Sequence, residues 1–261
     1  MTTLPYPLSD SATMLRRNLK RMLRYPSMTV LLIGMPVVFL LLYAYVFGGT
    51  LGAGITGAAG CRAYNVNYVT PGILMVTVAA AANGTAVSVA MDMTEGIIDR
   101  FRTMAISRAS VLTGHVIASV IQALLGAAAL TGVALLVGFR PTAGPAAWAA
   151  AVSLLAMTAL ALIWLSVALG RVTKSVETAS NLPMPLTLLP FLGSGFVPAA
   201  SMPTGLRWFA EYQPFTPIIE TLRGLLLGAP IGSSAIIAAG WCSGIALAGY
   251  LWSRKLFNRA G

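Results

Sequence analysis

The sequence predicts an all-α, polytopic membrane protein. It has six transmembrane helices, an N-terminal interfacial helix and a re-entrant outer helical pair between spans five and six. Three observations carry this. Of 261 residues, 57% are hydrophobic and 9% are charged, whereas a soluble domain needs roughly 25% charged residues to solvate its surface. Six apolar runs reach the ~20 residues that a helix rising 1.5 Å per residue needs to cross a bilayer core. Finally, the net charge of +10 sits in short segments between those runs, where it suits an anionic membrane face better than nucleic acid.

Residues 11–25 read as a helix lying on the inner leaflet. Leu15, Leu19, Met22 and Leu23 share one face, and Arg16, Arg17, Lys20, Arg21 and Arg24 occupy the rest. The segment serves either as a positive-inside anchor or as an elbow touching a cytosolic partner. The spans cover residues 27–47, 68–91, 111–139, 146–170, 178–197 and 233–252. The first is too long for a cleaved signal sequence and lacks a small-x-small site after a short apolar core, so it reads as a retained span. With the N-terminus inside, thirteen of the seventeen Lys and Arg residues fall on the inner side, and only Arg62, Arg140, Arg207 and Arg223 on the outer. An even number of spans then places both termini in the cytoplasm, and residues 1–261 form one transmembrane domain.

Three segments stand out. The inner loop at 92–105 carries Asp92 and Glu95 at capping-box-like spacing, then Arg100 and Arg102, as a short helix and its dipole favour. Ile97, Ile98, Phe101, Met104 and Ala105 form an apolar stripe. Such a helix would lie under the bilayer, as a plain amphipathic connector or as a knob offered to a cytosolic protein. The fifth span is interrupted by Pro183, Pro185 and Pro190, with Gly193 and Gly195 behind them. Proline frees backbone groups that need partners in protein or water-lined space. An irregular helix near the protein interior is therefore expected, either as a structural kink or as a gating element. Residues 201–230 are too polar and interrupted for a seventh span. Arg207 with Glu211, and Glu220 with Arg223, have the spacing of helical ion pairs, and Pro214 and Pro217 divide two short helices that would dip into the outer leaflet.

Other chemistries find little footing. No ionisable residue sits clearly in mid-span, where ion-coupled carriers place theirs. His115 is the only histidine, near the inner start of span three. The Gly-Ser-Gly around Ser194 lacks nucleophile-elbow spacing. Gly170 to Ser175 ends in Lys-Ser without the preceding glycine of a P-loop. Cys61 and Cys242 form no Cys-x-x-Cys pair.

Three stretches then show a family likeness: Leu15 to Phe47; Glu95-Gly-Ile-Ile-Asp-Arg-Phe-Arg-Thr-Met104 with Ser107-Arg108; and Gly195-Phe-Val-Pro198, Met202-Pro203, Leu206-Arg207-Trp208, Glu211-Tyr-Gln-Pro214 and Pro217 to Gly224. On these the chain resembles the permease subunits of type-2 ATP-binding-cassette exporters, in the daunorubicin-resistance-like branch. It departs from that branch at Met104-Ala105, which replace a frequent proline, and in a Gly-rich first outer loop, Gly48 to Gly60.

The resemblance implies a permease that exports a drug, antibiotic or lipid and works as a homodimer or heterodimer. It implies cytosolic ATPase subunits that bind ATP and Mg, with no cofactor on this chain, and residence in a bacterial cytoplasmic membrane. Glu95, Gly96, Ile98, Asp99, Arg100, Phe101, Arg102 and Met104 would be the coupling helix seated in the ATPase. Arg207, Glu211, Glu220 and Arg223 would belong to the outer re-entrant pair. Spans one, two and five would line the path, with Asn83, Thr85, Ser88, Asn181, Met184 and Phe191 as candidate lining residues. The alternative is an ion-coupled secondary transporter or channel without an ATPase.

Overall fold

The structure, a computed structural model, describes residues 26–47, 62–94, 108–173 and 175–259. The predicted interfacial helix at 11–25 and the coupling residues Glu95 to Met104 lie outside the described residues.

Helix α1 (Pro26–Leu41) runs into a π-helical turn, Leu42–Val46. Three long helices come next: α2 (Arg62–Thr94), α3 (Arg108–Val137) and α4 (Pro145–Val172). After them stand α5 (Val176–Asn181), α6 (Met184–Leu188) and the 3₁₀ turns Leu189–Leu192 and Ala199–Ser201. The last three are α7 (Thr204–Tyr212), α8 (Phe215–Leu227) and α9 (Ser234–Arg259). Four stretches are long and apolar enough to cross a membrane: Asn65–Met91, Val116–Val137, Pro145–Val172 and Ser234–Leu256, with Ile33–Val46 a shorter apolar helix. Among the described residues there is no strand.

Helix α2 is the axis of the bundle. Of its most apolar stretch 72% is buried, against 17% for α9, so α9 is an outer wall and α2 an interior post. Val66, Val69, Ile73, Met75, Val78 and Ala82 of α2 meet Leu130 and Phe139, then Ile163 and Val167 of α4, and Ile219 and Leu222 of α8 in one continuous core. In lipid, helices gain little from hiding apolar surface, so small residues that let backbones approach supply the contact. Gly249 of α9 illustrates this, since a Cβ there would fall 2.7 Å from the Leu165 nitrogen of α4. Hydroxyls inside the post are spent on their own helix: Thr70, Thr77 and Thr85 donate to the carbonyls of Val66, Ile73 and Ala81.

The stretch predicted as a fifth span is three short helical pieces, as its prolines require. Ser175 caps α5, its Oγ accepting the Thr178 N–H at 3.2 Å, and Pro183 and Pro190 interrupt the turns beyond it. Gly170, just before the stretch, packs on Ala86, and Ser194, at its end, contacts Tyr68. The chain thus climbs from the level of Ala86 to that of Tyr68, roughly 27 Å at the helical rise. Ala179 is buried, while Leu182, Met184, Leu188 and Leu192 are exposed, so only one side of the stretch faces the interior.

Helices α7 and α8 gather at the end of the bundle where α2, α4 and α9 begin, here termed the upper end. The Thr142 N–H donates to the Leu226 carbonyl and the Arg140 N–H to the Asn67 side chain, which ties the α3–α4 loop to α8 and α2. Helix α8 stops at Gly228, whose φ of 72° places it in the left-handed cap that glycine adopts without strain.

Candidate functional site

The upper end holds a compact node around residues 193–195. Gly193 leaves the helical region (φ −102°, ψ −169°) and ends the 3₁₀ turn. The next stretch of backbone then passes so close to α2 that a Cβ on Gly72 would lie 2.6 Å from the Gly195 carbonyl oxygen. Only glycine at 72 allows this approach. The Ser194 carbonyl accepts two hydrogen bonds, from the Tyr68 hydroxyl at 3.2 Å and from Arg223 Nη2 at 2.7 Å. The Ser194 N–H donates to Thr216 Oγ1 at 3.4 Å. Arg223 also donates to the Tyr68 carbonyl at 3.2 Å, and its guanidinium carbon lies 3.9 Å from the centroid of the Tyr68 ring. Charge-assisted bonds and a cation–π contact, both strengthened by partial burial, therefore fasten α8 to α2 through the end of the fifth segment.

Beside the node runs a column of five aromatic rings. Phe191 and Phe196 stand between Phe39 and the Tyr43–Phe47 pair of the α1 segment. Phe39 meets Phe191 edge-on at 5.4 Å, Phe191 stacks on Phe196 at 4.6 Å, Phe196 meets Tyr43 at 4.9 Å, and Tyr43 meets Phe47 at 5.4 Å. The π-turn sits within this column: the Phe47 N–H reaches back five residues to the Leu42 carbonyl. Asn65 of α2 donates to the Tyr43 carbonyl at 2.7 Å. Such turns recur at functional sites because they re-aim side chains within a helix.

The structure disperses the residues singled out as path-lining. Phe191 belongs to the aromatic column. Thr85 is buried and bonded to its own helix. Asn83 and Ser88 are half-buried on α2, and the Asn83 Oδ1 has no partner. Asn181 and Met184 are exposed. Of the outer charges, Arg207 pairs with Glu211 at 2.7 Å. Glu220 and Arg223 take different partners: Glu220 accepts from Ser234 Oγ at 3.2 Å, while Arg223 joins the node. Sequence reasoning missed Tyr68, Thr216 and the ring column. The column left a signal in the i, i+4 spacing of Phe39, Tyr43 and Phe47, but Tyr68 left none, because its partners are remote in sequence. Cys242 is buried and free, 3.4 Å from Thr158 Oγ1.

Several membrane-length helices around a buried, polar-tethered post make this a multi-pass membrane protein. The sequence profile of the ABC-2 type transporter family matches residues 11–227, and the chain belongs to that family. It is 26% identical to the daunorubicin resistance ABC transporter permease protein of Streptomyces coeruleorubidus over 223 residues, which cover 85% of this chain and 76% of that one. It is also 26% identical to the probable doxorubicin resistance ABC transporter permease protein of Mycobacterium tuberculosis over 176 residues, covering 66% of this chain and 63% of that one.

Proposed function

We propose that the chain is the permease subunit of an ATP-driven exporter that moves a hydrophobic or amphiphilic compound, a drug or a lipid, out of the cytoplasm or inner leaflet. The observation that carries this reading is the unbroken family match from residue 11 to residue 227. It takes in the basic N-terminal segment, the 95–104 loop and the region from Gly195 to Gly224. The names of the two relatives, which refer to daunorubicin and doxorubicin resistance, support the drug in that reading.

In this reading the chain crosses the bacterial cytoplasmic membrane six times, with both termini in the cytoplasm. The climb of the broken segment along α2 supports a crossing there, and the return of α7 and α8 to the upper end supports a re-entrant pair. Glu95 to Met104 seat in a separate cytosolic ATPase, which binds ATP and Mg and carries out hydrolysis. A second permease chain completes the path. The exposed apolar side chains of α1 and the fifth segment, Met35, Val38, Leu188 and Leu192 among them, suit that contact, and the aromatic column gives the path one apolar wall. Nucleotide drives export by favouring one of two arrangements of these helices.

The test is affinity purification of the tagged chain in mild detergent, with mass spectrometry and an ATPase assay on the eluate. A soluble ATPase is expected to co-purify and to be lost when Asp99, Arg100 and Phe101 are together changed to alanine. Recovery of the chain alone, with neighbouring ATPases expressed and intact, would overturn the proposal in favour of gradient-driven flux.

A further inference from the structure

Helix α7 belongs to the upper end of the chain but hardly to its core. Of its nine residues only Ala210 is buried. Trp208, Tyr212, Phe209 and Leu206 follow one another over roughly 160° of the helix circumference. Arg207, Glu211 and Thr204 occupy roughly 60° of the opposite side. Ala210 falls between Leu206 and Arg207, so the helix touches the bundle along one border of the two arcs and leaves both free. Trp208 and Tyr212 are 65% and 66% exposed, and Leu206 and Phe209 are 40% and 39% exposed. The Trp208 and Tyr212 rings meet at 5.2 Å. Arg207 and Glu211 pair at 2.7 Å and are the only charged residues on the helix, which therefore has no net charge.

The height of α7 is set by the residue that follows it. A Cβ on Gly193 would lie 2.5 Å from the Gln213 side-chain nitrogen, and Gly195 abuts Gly72 of α2, while Ser194 meets Tyr68. The membrane-length stretch of α2 begins at Asn65, so Tyr68 and Gly72 stand roughly 5–10 Å inside its upper end at the helical rise. An amphipathic helix lies at this depth, in the boundary between headgroups and acyl chains. Tryptophan and tyrosine concentrate there because each has an apolar body and a polar tip. Water would leave four large apolar side chains solvated on one short helix, and the acyl core would strand an ion pair in hydrocarbon.

We propose that α7 is an interfacial anchor. It lies along the leaflet at the upper end, with Trp208, Tyr212, Phe209 and Leu206 sunk into the headgroup–acyl boundary and Arg207 and Glu211 turned to water. Helix α8, fastened to α2 through Arg223, is then the inner limb of the pair and α7 its surface limb. Having no net charge, α7 holds the surface through its rings and apolar area rather than through anionic headgroups. The anchor requires a bilayer around α2 but neither an ATPase nor export, so the outcome of the co-purification leaves it untouched.

Spin labels test it in phosphatidylcholine nanodiscs, a neutral surface that an uncharged helix should still enter. Leu206→Cys, Trp208→Cys, Phe209→Cys and Tyr212→Cys on the apolar arc, and Arg207→Cys and Glu211→Cys on the polar one, are each made in a Cys61→Ser background. The remaining Cys242 is buried. Collisions of each nitroxide with oxygen, which partitions into lipid, and with a water-soluble nickel chelate give its depth. The four apolar-arc labels are expected roughly 5–10 Å below the phosphates, and the two polar-arc labels at or above them. Equal nickel access at all six positions overturns the anchor, since α7 then stands in water. Access by neither reagent at Leu206→Cys and Phe209→Cys, with spin–spin broadening between copies, overturns it in favour of a second copy of this chain. Trp208→Phe gives a second reading that needs no label. The emission lost with Trp208 is expected to be quenched more strongly by bromines high on the lipid acyl chain than by bromines near its end. Equal, reversed or absent quenching overturns the surface-lying arrangement.

Discussion

Replacing Arg223 with alanine removes the Nη2 bonds to the Ser194 and Tyr68 carbonyls and the contact with the Tyr68 ring. Hydrogen bonds to a charged donor contribute about 1.5–3 kcal/mol each, and a cation–π contact about 0.5–2 kcal/mol depending on desolvation. Arg223 is half-buried, and the 3.2 Å bond is weaker than the 2.7 Å one. The lower parts of those ranges therefore apply, giving a loss of about 3–4 kcal/mol and a fall in melting temperature on the order of 10 °C. Arg223→Lys recovers less than half of this, because one ammonium cannot serve two carbonyls and a ring in the geometry of a planar fork. The assay is thermal unfolding of the purified chain in a double-mutant cycle with Tyr68→Leu. The expected coupling is about 1 kcal/mol, from the ring contact and the Ser194 carbonyl that both side chains share. Strictly additive losses, within about 0.3 kcal/mol, would refute the claim that these two side chains act as one clamp.

The same packing yields two further outcomes. Gly72→Leu places a side chain against the Gly195 backbone, which cannot retreat as a flexible side chain can. A loss of about 2–3 kcal/mol or failure to accumulate in the membrane is expected, measured as expression and melting temperature, with Gly84→Leu, whose Cβ meets nothing within 4 Å, as the tolerant comparison. In a Cys61→Ser background, Cys242, 1% exposed on α9 against α4, should resist a membrane-permeant maleimide in the folded chain and react after denaturation; rapid labelling of that native variant would contradict the tight α4–α9 contact.

The long helices were legible because crossing a bilayer demands a length that few other features mimic. The expected second, third, fourth and last apolar runs lie within or nearly within α2, α3, α4 and α9. The irregularity of the fifth was legible from Pro183, Pro185 and Pro190, since proline acts through its own ring and missing N–H whatever surrounds it. The Arg207–Glu211 pair was legible because four residues is one helical turn. Spacing was a poor guide to Arg223, which lies three residues from Glu220 but bonds to carbonyls 29 and 155 residues away. Polarity alone was a poor guide to Thr85, whose hydroxyl is spent on the preceding turn.

The π-turn in the first segment uses one more residue than an α-helical turn would. The loss of one codon within Leu42–Val46 could be absorbed by closing that turn to ordinary α-geometry. Phe39 and the residues before it would keep their bearing, and so would Phe47, because the closed turn holds one residue fewer between the same flanks. The first segment therefore carries a built-in register adjustment. Through it, a single deletion within the turn can leave Phe39 and Phe47 facing the same ring neighbours, where a deletion elsewhere in the helix would rotate one against the other.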